Sequence, residues 1–255
     1  MSFEFLSATA PASPDGSSPA PPRSPDGSSP AVARSPMERQ ARAAGARFEL
    51  RDGWNVAVSY AGEETSLRRV AFADCSHLRK YEIQGDLPAL ELGRSTVDGD
   101  GTWLPLTKTR ALILGGEPPA GALDVTTGFA ALRLAGPLAR ETFARFTAID
   151  LRPQQTKPGD WRPGSVARTP GGILCEAKDR YLMLFGSALG QYVWTVVADA
   201  AGHLGGGPVG DDALVRGEAG EASAGDEPSG RASEAVTRPP AETGQASAEA
   251  GAAGA

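Results

Sequence analysis

Histidine and cysteine are scarce in this chain, with two of each in 255 residues. That leaves little from which to build a zinc site or a disulfide framework. Cys75 and Cys175 stand in apolar, strand-like stretches without the paired spacing of a redox motif. They read as buried free thiols of a cytosolic protein. No run of about 18 apolar residues occurs, so no membrane span is expected. The N-terminus lacks a basic stretch followed by an apolar one, so it does not read as a secretory signal. Gly115-Gly116-Glu117-Pro118-Pro119 lacks the spacing and the lysine of a phosphate loop, and no flavin or nucleotide fingerprint is present. Arg68-Arg69 and Arg79-Lys80 are isolated basic pairs, read as solvated surface rather than a nucleic-acid track. His77 has no second His or Cys near it in sequence that would make it a metal ligand.

Glycine, proline and alanine are abundant but unevenly spread. The run Ser13-Pro14-Asp15-Gly16-Ser17-Ser18-Pro19-Ala20 is copied from Ser24 to Ala31, and Met37 falls where this tract ends. Such tracts hold too little apolar surface to offset chain entropy, so residues 1–40 are expected to be disordered. Residues 205–255 contain no aromatic residue and are read the same way. The net charge of −6 resides largely in that second tail, where acidic residues outnumber basic ones nine to three. It therefore says little about ligands. The expected folded unit is residues 47–204, a normal single-domain size that needs no metal or disulfide.

Within it, Asp52-Gly53 reads as the turn of an opening hairpin. Lys80 to Gly85 alternates as a half-buried strand, with Tyr81 and Ile83 facing in and Lys80, Glu82 and Gln84 facing out. Leu87 to Leu92 is a short helix candidate, Thr96 to Thr102 a Gly/Asp turn, and Trp103 to Leu114 one or two strands. Ala130, Leu132 and Leu134 share one strand face. Gly136-Pro137 opens a helix, and Thr147 to Gly164 is a Pro-rich connection. Strands are expected at Val166 to Thr169, Ile173 to Glu176 and Arg180 to Phe185, the last two joined at Lys178-Asp179. Ser187 is expected to cap a final helix.

One short pattern occurs twice, fifty positions apart. Asp74-Cys75-Ser76-His77 leads into a strand that stops at Gly85, and Asp124-Val125-Thr126-Thr127 leads into one that stops at Gly136. Two copies suggest two related half-units in one domain, since a solenoid needs three or more. The order of elements gives an α+β domain with a mixed or antiparallel sheet and helices on one face. Asp74 and Asp124 are expected to cap their own turns.

The stretch Asp124 to Arg140, with Gly128, Gly136-Pro137 and Ala139, resembles the family of the glycine-cleavage T-protein and the sarcosine oxidase gamma subunit. Ala148-Ile149-Asp150-Leu151-Arg152-Pro153 and Tyr192-Val193-Trp194 are similar to later gamma-subunit segments. The resemblance covers residues 120–203 well and 68–90 moderately. It implies a fold like the N-terminal folate-binding domain of T-proteins, with tetrahydrofolate as the cofactor and flavoprotein subunits of an amine oxidase complex as partners. At the run that carries an essential carboxylate in T-proteins, this chain has Gly171-Gly172-Ile173-Leu174-Cys175-Glu176. Cys175 and Glu176 replace an aspartate pair.

Glu176 and Arg168 are therefore the folate candidates, each with an ordinary surface or salt-bridge role as the alternative. No catalytic and no metal-binding residue is assigned. The expected function is a sarcosine-oxidase-gamma-like accessory subunit that is inert alone, with Trp103, Trp161 and Trp194 as possible interface anchors. The alternatives are a stand-alone tetrahydrofolate-dependent aminomethyltransferase-like enzyme and a solitary folate-binding domain. No nucleic acid or membrane is expected as a partner.

Overall fold

The structure, a computed structural model, describes residues 31–214. Most of the two tracts expected to be disordered lies outside the described residues. The chain opens with β1 (Ala33–Arg34) and α1 (Glu38–Ala43). β2 (Arg47–Arg51) and β3 (Trp54–Ser59) form the hairpin read around Asp52-Gly53. Both turn residues have positive φ, 47° and 79°, the backbone that two-residue hairpin turns require and Asp-Gly supplies. α2 (Glu63–Leu67) leads to the first motif copy, β4 (Ala71–Asp74) and β5 (Lys80–Gln84).

No helix forms at Leu87 to Leu92, where Pro88 disfavours helical backbone at the residue before it. The turn expected over Thr96 to Thr102 is instead a hairpin of β6 (Thr96–Asp98) and β7 (Gly101–Thr107), followed by β8 (Arg110–Leu114). The second motif copy is β9 (Leu123–Asp124), a 3₁₀ turn at Thr126–Gly128, and β10 (Phe129–Ala135). Then come α3 (Ala139–Phe143), β11 (Trp161–Val166), β12 (Thr169–Ala177), β13 (Arg180–Gly186), α4 (Gly190–Gly202) and β14 (Gly207–Pro208). Ser187 begins a 3₁₀ turn and makes no side-chain cap; α4 starts after Leu189.

A six-stranded sheet, β11-β12-β13-β10-β4-β14, lies at the centre. Its inner strands β13, β10 and β4 are buried on both sides, and the alternation of side chains sorts two cores. Ala130, Leu132 and Leu134 of β10 pack with Met183 and Phe185 of β13 against α1, α3 and α4. Ala131, Leu182 and Leu184 point the other way, onto Leu104, Leu112 and Leu114 of a five-stranded sheet, β6-β7-β8-β5-β9. Helices thus cover one face and a second sheet the other. The fold is α+β, as the sequence predicts. Trp161 and Trp194 are 2% and 5% exposed, with Trp194 edge-on to Phe72 at 5.0 Å. Both are core residues and not interface anchors.

The motif copies are built as equivalents. β4 pairs antiparallel with β10 and β5 pairs antiparallel with β9, so each copy hydrogen-bonds the other. Asp74 Oδ1 accepts the Ser76 amide at 3.0 Å, and Asp124 Oδ1 accepts the Thr126 amide at 2.8 Å. These are the self-capped turns expected of both acids. The exchange of partners is that of a local pseudo-two-fold.

The ordered unit is wider than residues 47–204. Met37 is fully buried and Ala41 packs beside it under α4. At the other end Val209, Ala213 and Leu214 enter the second core. The tail's composition concealed this, because Val209 and the Ala213-Leu214 pair, set apart by Gly210-Asp211-Asp212, give no period to read.

Candidate functional site

Glu176 sits on β12 beside a register shift between Cys175 and Ala177. Its carboxylate is gripped by Arg133 of β10, Nε to Oε2 at 2.8 Å and Nη2 to Oε1 at 3.0 Å. Arg180 adds a third contact at 3.1 Å. The Arg133 and Glu176 side chains are 12% and 15% exposed. A two-pronged Arg–carboxylate pair out of most of the solvent is strong and geometrically specific. Glu176 is thus a partner in an ion-pair network, neither open to solvent nor a spare base.

The network runs further. Arg133 Nη1 reaches Asp211 Oδ1 at 3.2 Å. The Cys75 thiol donates to the same oxygen at 3.0 Å, and His77 Nε2 is 3.4 Å from Asp211 Oδ2. Burial works to raise the Asp211 carboxyl, but hydrogen bonds from His77 and Cys75 and the Arg133 charge outweigh it and hold it below its usual range. Burial pushes the Cys75 thiol well up and the Cys175 thiol up to about 11. Both cysteines are free and buried, as expected. Sequence reasoning missed Arg133 and Asp211. Arg133 is one charge in an apolar run, and Asp211 lies in the tail.

Arg168 lies elsewhere. With Ala167 it forms the two-residue turn between β11 and β12, at φ 62° and 47°, and it is exposed. Eight residue steps along extended strand separate it from Glu176, roughly 26 Å. The two folate candidates are not brought together. Gly171 and Gly172 lie within β12 rather than in a turn, and a Cβ on Gly172 would strike the Trp161 ring.

The least expected residue is Lys80. Read as facing out, it is fully buried. Its ammonium donates to the carbonyls of Ser76 at 2.8 Å and Leu78 at 2.7 Å, with Thr126 O at 3.4 Å. Lys80 thereby caps carbonyls of both motif turns at the pseudo-two-fold. Burial pulls its pKa down to about 8, against the charges of Cys75, Asp74 and Asp124.

A cleft of about 620 Å³ beside the second motif turn is lined by Trp54, Arg79, Asp124 and Thr127. Another, of about 410 Å³, lies between α3 and the segment from Thr147 to Arg152. Neither Glu176 nor Arg168 lines either cleft. Among the described residues no group of three or more His, Cys, Asp or Glu side chains could hold a metal ion. No described helix is long and apolar enough to cross a membrane.

No protein-family model and no curated protein sequence matches this chain. Solved structures do. A chain of the heterotetrameric sarcosine oxidase from Corynebacterium sp. U-96, in complex with pyrrole 2-carboxylate, matches at TM-score 0.54 and 17% identity, over 68% of this chain and 96% of that one. The glycine cleavage system aminomethyltransferase T from Bartonella henselae matches at TM-score 0.55 and 14% identity, over 71% of this chain and 60% of that one. The protein has a T-protein-like fold. It spans 60% of the length of that aminomethyltransferase chain and nearly the whole of the sarcosine oxidase chain.

Proposed function

We propose that this chain is an accessory subunit of a folate-linked amine oxidase complex, in the manner of a sarcosine oxidase gamma subunit. One observation carries the reading most. The carboxylate at the position where T-protein-like sequences carry their essential acid is Glu176, and both its oxygens are engaged by Arg133. A base must reach the proton it takes within about 3 Å, and a carboxylate held this way is poorly placed to do so. The near-complete coverage of a heterotetrameric sarcosine oxidase chain supports the same conclusion. The partners are then flavoprotein subunits, and tetrahydrofolate is the cofactor of the assembly. Glu176 serves the architecture of the subunit, and Arg168 stands on an exposed turn apart from it.

The structural likeness to an aminomethyltransferase favours a second reading, a stand-alone tetrahydrofolate-dependent enzyme. Co-expression with candidate flavoprotein subunits separates the two. The accessory reading expects a stable co-purifying complex and no turnover of sarcosine or methylene-tetrahydrofolate by the lone chain. Turnover by the lone chain that is lost in Glu176→Gln establishes the second reading instead.

A further inference from the structure

We propose that residues 207–214 form a strap that lifts off the domain as a unit, latched by Asp211 and Asp212, and that lifting it exposes the Cys75 thiol. Among the described residues β14 is the edge strand of the central sheet and pairs with β4 alone, over two residues in parallel. Where the pairing ends, the Gly207 amide donates to Val70 O at 3.2 Å and the Val209 amide to Phe72 O at 2.9 Å. β10 and β13, by contrast, pair along seven residues. Edge segments with short ladders open locally, below the cost of global unfolding; here the cost includes lifting Val209, Ala213 and Leu214 out of the second core.

The fastenings are specific. Asp212 grips Arg51 through two bonds of 2.5 and 2.7 Å. The Gly210 amide donates to Glu63 Oε1 at 2.7 Å. Asp211 takes the contacts from Arg133, Cys75 and His77 already described. At Gly206 and Gly210 the backbone lies so close to the Val70 and Val58 carbonyls that a Cβ would not fit. Upstream, Gly205 at φ 72° supplies a hinge.

Cys75 lies beneath this latch with no exposed surface. While the strap is down, burial and the Asp211 carboxylate keep the proton on sulfur. When the strap lifts, Asp211 leaves and water enters, but Arg133 Nη1, 3.6 Å from Sγ, stays on β10. A cation beside a solvated sulfur favours the thiolate. Opening therefore uncovers the thiol and takes away burial and the Asp211 charge, which leaves Arg133 to favour the thiolate against the Glu176 carboxylate paired with it. This inference is independent of the subunit reading.

The test is iodoacetamide labelling of the full chain under native conditions, read at each cysteine by mass spectrometry. Cys175 is the internal control, being buried in the first core away from the strap. Cys75 is expected to label at least tenfold faster than Cys175. Asp212→Asn loosens the strap without touching the sulfur. It is expected to speed Cys75 several-fold and leave Cys175 unchanged. Hydrogen exchange gives a second measure that needs no variant: the Gly207 and Val209 amides should exchange together and faster than those of β10. Equal labelling of the two cysteines, an unchanged Cys75 rate in Asp212→Asn, or exchange of Val209 in step with β10 would each overturn the proposal.

Discussion

Ser76 and Thr126 perform one task in two copies of the same turn. The Ala131 amide donates to Ser76 Oγ at 3.2 Å, and the Lys80 amide donates to Thr126 Oγ1 at 3.0 Å. Each hydroxyl takes the backbone of the opposite copy. The matching backbone bonds run alongside, Cys75 N–H to Ala131 O and Val125 N–H to Lys80 O, both 2.9 Å. Lys80 and Ala131 are therefore counterparts, and the lysine side chain is what breaks the symmetry.

Because the two hydroxyls are equivalent, their removal should cost alike. Ser76→Ala and Thr126→Ala each leave a buried amide without its side-chain acceptor, a loss of about 1–3 kcal/mol. Urea denaturation should show two similar destabilisations, with Thr126→Ser close to wild type. A neutral result at one site and a large one at the other would contradict the equivalence.

The buried Lys80 predicts a pH dependence. Its folded pKa of about 8 lies below the unfolded value of 10.5. Between those pH values the unfolded chain binds more protons, so stability rises with pH through the window. Below about pH 8 the penalty for burying the cation is present in full; above about 10.5 it is gone. The gain is on the order of 3 kcal/mol. Measured against Lys80→Met, which removes the charge and keeps an unbranched chain, the wild type should gain relative stability from pH 8 to 10.5. A flat difference would place the lysine charge in solvent.

Arg133 joins two acids, and removing it leaves Glu176 only Arg180 and Asp211 only Cys75 and His77 among the contacts described above. Arg133→Met should cost about 3–5 kcal/mol, the loss that follows when a mostly buried ion pair loses one member. Adding Glu176→Gln to Arg133→Met should recover part of that loss. Thermal melts of the single and double variants measure the coupling, and strict additivity would show that the pair does not interact.

Patterns of alternation and turn chemistry carried most of the fold. Asp52-Gly53, the paired Asp-x-Ser/Thr turns and the Ala130-Leu132-Leu134 face of β10 were all legible, because each depends on neighbours in sequence. Lys80 was misread because alternation on β5 puts it with Glu82 and Gln84, and only the docking of the second motif copy buries it. The tail strand β14 escaped because its partner, β4, is more than a hundred residues away. Glu176 was flagged by resemblance, but its engagement depends on Arg133 across the sheet. No local pattern shows which strands will be neighbours.

The central claim is that Glu176 serves architecture in an accessory subunit. Its most direct test is amine-oxidase activity of the co-purified complex carrying wild-type chain or Glu176→Gln. The account predicts no activity from the lone chain, activity once the flavoprotein subunits are bound, and an equal turnover number for both versions of the assembled complex, with Glu176→Gln lowering only thermal stability. Turnover by the lone wild-type chain, lost on Glu176→Gln while the protein stays folded, would contradict it.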